Sequence, residues 1–173
     1  MRLLMVDKMI KLIVALDQNL GLAKGGKIPW HCKEDLQFFK DTTYDSVVIM
    51  GNNTWKTLSH QLVDRINIVI RNQYEDNYPV LDDKGLRIYS PSIESAIRIA
   101  KKISKKDIYI IGGKSIYEQC LKLNIIDECI ISYLDADYNC DLFLEDVSKY
   151  GFELYKTKEL STSLEVVVGY YTK

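Results

Sequence analysis

Short apolar runs recur along this chain, and stretches with helical spacing separate them. Ile10–Leu16, Ser46–Met50, Ile66–Ile70, Asp107–Ile111 and Glu128–Leu134 are rich in Ile, Val or Leu. Continuous runs of this kind predict buried strands. Lys33–Asp41 predicts a helix, with Leu36 and Phe39 three apart on one face. Ser92 caps a further helix through Ile103, whose Ile93, Ala96, Ile97 and Ala100 keep helical spacing. Asn53–Ser59 and Ser115–Leu123 read as two shorter helices. Strands that alternate with helices call for right-handed crossovers. The predicted fold class is α/β: a single domain with a mostly parallel central sheet and helices on both faces. Phe152–Lys158 and Leu164–Tyr171 predict an antiparallel hairpin at one edge of that sheet. Asp17–Pro29 reads as a glycine-bearing loop, and Arg71–Leu86 as a loop with one weak turn before a short strand at Arg87–Tyr89.

Composition narrows the class of function. Lys plus Arg number 23 and Asp plus Glu 24, for a net charge of −1 over 173 residues. That balance argues against a protein that coats nucleic acid, which needs a basic excess. The cysteines Cys32, Cys120, Cys129 and Cys140 show no CxxC spacing, and the two histidines, His31 and His60, have no ligand-spaced partner. Zinc sites cluster their ligands more tightly, so no metal is expected. The thiols read as free, in a reducing compartment. Met1–Lys8 lacks the apolar run of a signal peptide. No stretch approaches the roughly 18 apolar residues of a membrane span. A cytoplasmic chain without a membrane partner is expected.

Sheets of this type bind ligands at the carboxyl ends of their strands. Gly112-Gly113-Lys114-Ser115 lies at one such end, yet a phosphate-loop motif would need glycine at position 108, which is Ile108. The glycine pair either lets a diphosphate approach bare backbone at a helix start or makes a tight turn. Gly51-Asn52-Asn53-Thr54 repeats the pattern after another strand, with Thr54 a helix cap or a phosphate ligand, capping being favoured for an isolated Thr. Asp35 shares a helical face with Phe39. A buried acid must find a partner. Either Asp35 pairs locally in the first turn, the favoured reading, or it receives a cationic or hydrogen-bonding ligand. Arg65 before a strand is solvated, unless it turns into a cleft where its planar fork suits a carboxylate. His31 and His60 read as solvated surface.

Taken together, these segments resemble dihydrofolate reductase. Four blocks carry the match: Ile13 to Trp30 with its Pro29-Trp30 pair; Asp35 to Thr43, five residues past the tryptophan; Val48 to Leu58 followed by Arg65 to Val69; and Ile110 to Glu118. A tail of Ser132 to Asp137, Asp141 and Phe143 continues in the same order. The resemblance spans roughly residues 9 to 171 and leaves residues 1–8 as an N-terminal extension to a domain over 9–173. It implies reduction of 7,8-dihydrofolate to tetrahydrofolate with NADPH, by a monomer that binds no nucleic acid. Asp35, Trp30 and Ser132 match the catalytic positions, with Ser132 where the family usually has Thr. Ile13, Ala15, Leu36, Phe39, Leu58 and Ile111 match the apolar walls around the substrate, and Arg65 the partner of its glutamate carboxylate. Ala15, Gly21 and Ile28 match cofactor contacts near the loop. Gly51, Asn52, Asn53, Thr54 and Arg71 match a second set. Gly112, Gly113, Lys114, Ser115, Ile116 and Tyr117 match a third, with a cis peptide implied between the glycines.

Some positions depart from the family pattern. Asn52 and Asn53 stand where one or two basic residues usually hold the cofactor's 2′-phosphate. Arg71 is a substitute, one position early, and tolerance of NADH is an expected consequence. Cys140-Asp141-Leu142 replaces a Gly-Asp-Thr-like turn, which predicts looser docking of the Asp17–Trp30 loop. Two other readings compete: a pyrimidine reductase of riboflavin synthesis with the same fold, whose ribosyl-phosphate substrate would not need Asp35, and a non-catalytic protein that keeps the fold.

Overall fold

The computed structural model describes residues 7–58, 62–72, 79–82, 85–160 and 164–173. His60 and most of the proposed N-terminal extension lie outside them. The elements run β1 (Ile10–Leu16), β2 (Gly21–Ala23), α1 (Lys33–Thr43), β3 (Val47–Gly51), α2 (Asn52–Thr57), β4 (Ile66–Ile70), β5 (Val80–Asp82), β6 (Gly85–Ser90) and α3 (Ile93–Ile103). Then follow β7 (Ile108–Ile110), α4 (Lys114–Lys122), β8 (Glu128–Leu134), β9 (Leu142–Phe143), a 3₁₀ turn (Val147–Tyr150), β10 (Glu153–Leu160) and β11 (Val166–Thr172).

Nine strands among the described residues form one sheet, in the order β10-β11-β8-β1-β7-β3-β4-β6-β5. The central pairs are parallel, and β11 runs antiparallel to both β8 and β10. The predicted parallel sheet and edge hairpin are both present. Burial on both faces explains why the central strands are apolar without alternation. Leu12, Ile49, Ile68 and Ile110 are fully buried on the face that α3 and α4 cover with Ala96, Ala100, Ile116 and Cys120. Ile13, Val48, Met50 and Val69 face the other way, under Phe38 and Phe39 of α1 and Trp55 of α2. The Ser92 hydroxyl accepts the Ser95 amide and caps α3 as expected.

Two readings need correction. The Arg71–Leu86 stretch is not a plain loop, because β5 pairs antiparallel with β6 from Asp82↔Gly85 onward. The Asp17–Pro29 loop also holds a strand: β2 pairs with β9 in a separate two-stranded sheet. Both strands are too short to show a period, and each exists because a partner lines up beside it.

Candidate active site

The site opens along the carboxyl ends of β1, β3 and β7. Ala15 and Ser132 are register partners on β1 and β8, and Ile13 lies across from Ile130. Asp35 is in the first turn of α1 and does not cap it, since the preceding Cys32 is the cap position and makes no side-chain bond there. Among the described residues Asp35 forms no ion pair. Burial pushes its carboxyl pKa above the ordinary value, and the Ser132 hydroxyl partly offsets that by donating to it. The favoured local reading of Asp35 is therefore corrected: one hydroxyl from β8 is too little to saturate a carboxylate.

Apolar walls flank the acid. Ile13 and Ile111 are buried, Phe39 and Leu58 are half-buried, and Leu36 is 45% exposed. Ala15 and Trp30 pack against the same cluster of Cys32, Leu134 and Val166, and the Trp30 ring lies 5.2 Å from that of Tyr138. At the far end of α1, Arg65 is buried rather than solvated. Its Nη1 donates to the Thr43 hydroxyl at 3.0 Å, and its Cζ lies 5.9 Å from the Phe39 ring centroid. Its Nε is buried without a hydrogen-bond partner among the described residues, which fits an arginine held ready for an anion. His31 is exposed, as expected.

The glycine end is equally defined. The Gly112–Gly113 peptide is cis. The Gly112 carbonyl accepts the Gly51 amide at 2.8 Å, which ties the ends of β3 and β7 together. A Cβ on Gly112 would lie 3.3 Å from the Tyr117 ring, and one on Gly113 3.3 Å from the Thr54 hydroxyl. Tyr117 is buried and donates to the Ile13 carbonyl at 2.8 Å. Thr54 is not a cap, because Gly51 holds that position in α2. Its hydroxyl instead faces bare glycine backbone, a cradle that a side chain would fill and that suits a diphosphate. Ile116 is buried beneath Gly51. Lys114 and Ser115 open α4, where Lys114 pairs with Glu118 at 3.7 Å and Ser115 accepts Gln119 at 2.8 Å. Asn52 and Asn53 open α2. Ile28 is 63% exposed on the loop.

Asp17, Thr43 and Tyr138 join the site without any local motif that marks them. Asp17 is fully buried at the end of β1. Its Oδ1 accepts Asn19 at 2.9 Å and Gly21 at 2.7 Å, and its Oδ2 accepts Tyr138 at 3.1 Å. Burial alone would raise its pKa, but these amides and the Cys140 thiol outweigh it and hold the carboxyl below the ordinary value. An Asp two residues before an amide it can accept is a turn signal that was available. The β8–β9 partners were not visible locally. The loop does dock: Asp141 donates its amide to Ala23 at 3.0 Å and accepts Gly25 at 2.9 Å. At this contact the Cys140 side chain fills the space over Gly21. The loop tip turns through Gly25 and Gly26, whose φ of 58° and 77° favour glycine.

The family model for dihydrofolate reductase matches residues 9–172. The chain belongs to the dihydrofolate reductase family. A dihydrofolate reductase of Mycoplasma pneumoniae is 34% identical over 166 residues, covering 95% of this chain and 98% of that protein. A protein of Mycoplasmoides gallisepticum named segregation and condensation protein A is 37% identical over 165 residues. That match covers 95% of this chain but 26% of the relative, so the chain spans about a quarter of that protein's length. Among solved structures, a dihydrofolate reductase from Enterococcus faecalis complexed with NADP(H) superposes with a TM-score of 0.77 at 21% identity, covering 96% of each chain. That likeness concerns the fold.

Proposed function

We infer that this chain reduces 7,8-dihydrofolate to 5,6,7,8-tetrahydrofolate with NADPH. The observation that carries the reading is Asp35: a carboxyl withdrawn from water, raised in pKa and contacted by the Ser132 hydroxyl, between apolar walls and beside a glycine cradle. A flat heterocycle with a ring N–H and an amino group meets such a carboxylate with two donors at once. NADPH supplies, when bound, the hydride that goes to C6 of the pterin. Asp35 orients the ring and polarises it, so that N5 takes its proton from water. Ser132 keeps the Asp35 carboxyl in place. Arg65, braced by Thr43, takes the substrate's glutamate carboxylate. Thr54 and the bare backbone of Gly112-Gly113 accommodate the cofactor's diphosphate. The loop anchored by Asp17 brings Gly21 and Ile28 over the site and excludes water. The protein's contribution is chiefly position and preorganised charge.

A riboflavin-pathway substrate would leave Asp35 without a donor pair, and a non-catalytic role would leave the Thr54–Gly113 cradle unused. In the same reading the chain acts in the cytoplasm as a monomer on small molecules alone, with residues 1–8 outside the catalytic fold. No helix among the described residues is long and apolar enough to cross a membrane. The test is cofactor oxidation by the purified protein with dihydrofolate, with NADPH and NADH compared side by side. Turnover supports the reading, and no turnover with either cofactor overturns it.

A further inference from the structure

β4 reads Ile66-Asn67-Ile68-Val69-Ile70, and Asn67 is the polar residue in an otherwise apolar run. Asn is depleted in strands, and a buried amide must find hydrogen bonds. Asn67 is nonetheless fully buried. Strand alternation puts it on the face of Val69, the side that α1 and α2 cover, whereas Ile66, Ile68 and Ile70 pack on the α3 side. Its Nδ2 donates to Leu62 at 3.1 Å, to Leu86 at 3.0 Å and, more weakly, to Arg65 at 3.4 Å, a carbonyl in each case. Its Oδ1 is buried with no hydrogen-bond partner among the described residues. An amide kept for stability alone is a poor choice at such a place, since half of it goes unanswered. What Asn67 does is hold backbone on two sides.

The backbone it holds carries Arg65. Leu62 to Arg65 form the turn that leads into β4, closed by the Arg65 amide on the Leu62 carbonyl at 3.3 Å. Asn67 donates to the same Leu62 carbonyl, and to Leu86 beside its register partner Arg87 on β6. A side chain, and not the strand ladder, therefore ties the turn to β6. The two segments lie close together. A Cβ on Gly85 would be 3.1 Å from Val63 Cα and 3.5 Å from the Leu62 carbonyl oxygen, and its φ of 92° favours glycine. On its other side the turn is fixed to the segment after α1. There the Asp45 amide donates to the Asp64 carbonyl and the Ile66 amide to the Ser46 carbonyl, each at 3.0 Å. Thr43, just before, accepts Arg65 Nη1. The guanidinium thus has its own brace, while the Cα it extends from is set by a turn held between α1 and β6.

We propose that Asn67 is the positioning residue for Arg65: by clamping the Leu62–Arg65 turn to β6, it sets where the guanidinium meets the substrate's α-carboxylate. The proposal rests on the function inferred above, in which Arg65 takes that carboxylate. Asn67 acts through Arg65 and does not itself touch the substrate. A planar fork makes two parallel hydrogen bonds only when its Cα is correctly placed. A small displacement of the turn therefore weakens this pairing and leaves the pterin end of the site as it was.

The test uses the full chain and two ligands that differ only at the α-carboxylate: folic acid and its α-carboxamide, titrated by calorimetry. The parent protein is expected to prefer folic acid by about 10- to 100-fold, the range of a charge-assisted contact. Asn67→Leu keeps the volume and removes the donor. It should lower that ratio about 3- to 10-fold by weakening folic acid alone. In steady-state assays it should raise KM for dihydrofolate and leave kcat within about twofold. In an Arg65→Met background, Asn67→Leu should change the ratio no further. Ser104→Ala is the control: its buried hydroxyl, past the end of α3, donates to the Lys106 carbonyl, and its loss should leave the ratio unchanged. If Asn67→Leu does not fold, Asn67→Thr replaces it, β-branched and with one donor kept, and a drop of about 2- to 5-fold is expected. Equal weakening of both ligands overturns the proposal. So does a ratio that survives the substitution, one that falls as far in Ser104→Ala, or one that falls further in the Arg65→Met background. A parent ratio near one, or no binding of either ligand, overturns the function inferred above as well. A high parent ratio that Asn67→Leu preserves overturns this proposal alone.

Discussion

Asp17 closes the end of β1, and Asp35 lies in the first turn of α1; the fold withdraws both carboxylates from water and then treats them in opposite ways. Asp17 has no exposed surface, yet amides of Asn19, Gly21 and Tyr138 and the Cys140 thiol hold it below the ordinary carboxyl range. Asp35 suffers burial with, among the described residues, the Ser132 hydroxyl alone against it, and its pKa rises. A carboxylate that builds structure has its lone pairs filled by the chain. One kept for a ligand leaves them open, and the apo fold carries the cost. Two acids of the same type, in one cleft, are thus told apart by counting donors.

The largest effect should come from Asp35. Asp35→Asn is expected to lower kcat/KM for dihydrofolate by about 10²- to 10⁴-fold, the range of a positioned acid or base. The same change should raise the melting temperature at neutral pH. Because the folded pKa lies above the ordinary 3.8, the carboxyl's contribution to folding is present in full below that value. The contribution is lost as pH rises through the folded pKa, so the gain from Asn should appear above that window and vanish below it. Thermal unfolding across pH, beside steady-state rates, checks both parts. An Asn variant that was slow and also less stable at neutral pH would break the contrast with Asp17.

Asp17 carries the opposite sign. Its folded pKa lies below 3.8, so its stabilisation is present above that value and lost as pH falls through the folded pKa. Asp17→Ala strands buried amides and should cost about 2–5 kcal/mol in denaturant unfolding at neutral pH. Gly21 sharpens the point with a smaller effect. A Cβ there would lie 2.6 Å from Cys140 Cβ and Sγ and 2.7 Å from Asp17 Oδ1. Gly21→Ala should cost about 1–3 kcal/mol, as overpacking does. Adding Cys140→Gly should recover part of that loss and not all, since the carboxylate oxygen remains in the way. A double-mutant cycle reads the coupling, and full additivity would show that the two loops do not interlock.

The same contrast marks what could be read in advance. Ile10–Leu16, Ile66–Ile70 and Glu128–Leu134 are strands with the bounds their apolar runs predict, because each stops at a charged residue, Asp17, Arg71 or Asp135, and is buried on both faces. β2 and β9 were invisible, since two or three residues carry no period and their pairing is set by parts of the chain far apart in sequence. Arg65 looked solvated on local grounds, because its brace, Thr43, stands 22 residues upstream. Local chemistry pointed to a partner near Asp35 in its own helical turn, whereas the donor it meets is the Ser132 hydroxyl on β8, far along the sequence. Only its order among the matching blocks pointed to a ligand. The fold is written in local periodicity, whereas the site is written in which distant elements meet.

The smallest effect tests the donor that Ser132 gives to Asp35. Ser132→Ala removes a single hydroxyl from β8, a residue 3% exposed whose register partner is Ala15. A net hydrogen bond contributes about 0.5–1.5 kcal/mol, so kcat/KM should fall about 2- to 10-fold, far less than for Asp35→Asn. The pH profile should move as well. Without the hydroxyl, burial acts on the carboxyl unopposed and its pKa rises further, so the titration of kcat/KM should shift to higher pH. Ser132→Thr keeps the hydroxyl and should restore both rate and profile. A rate loss with an unmoved profile would mean that Ser132 merely packs against β1, and that the apo protein holds Asp35 with no donor at all.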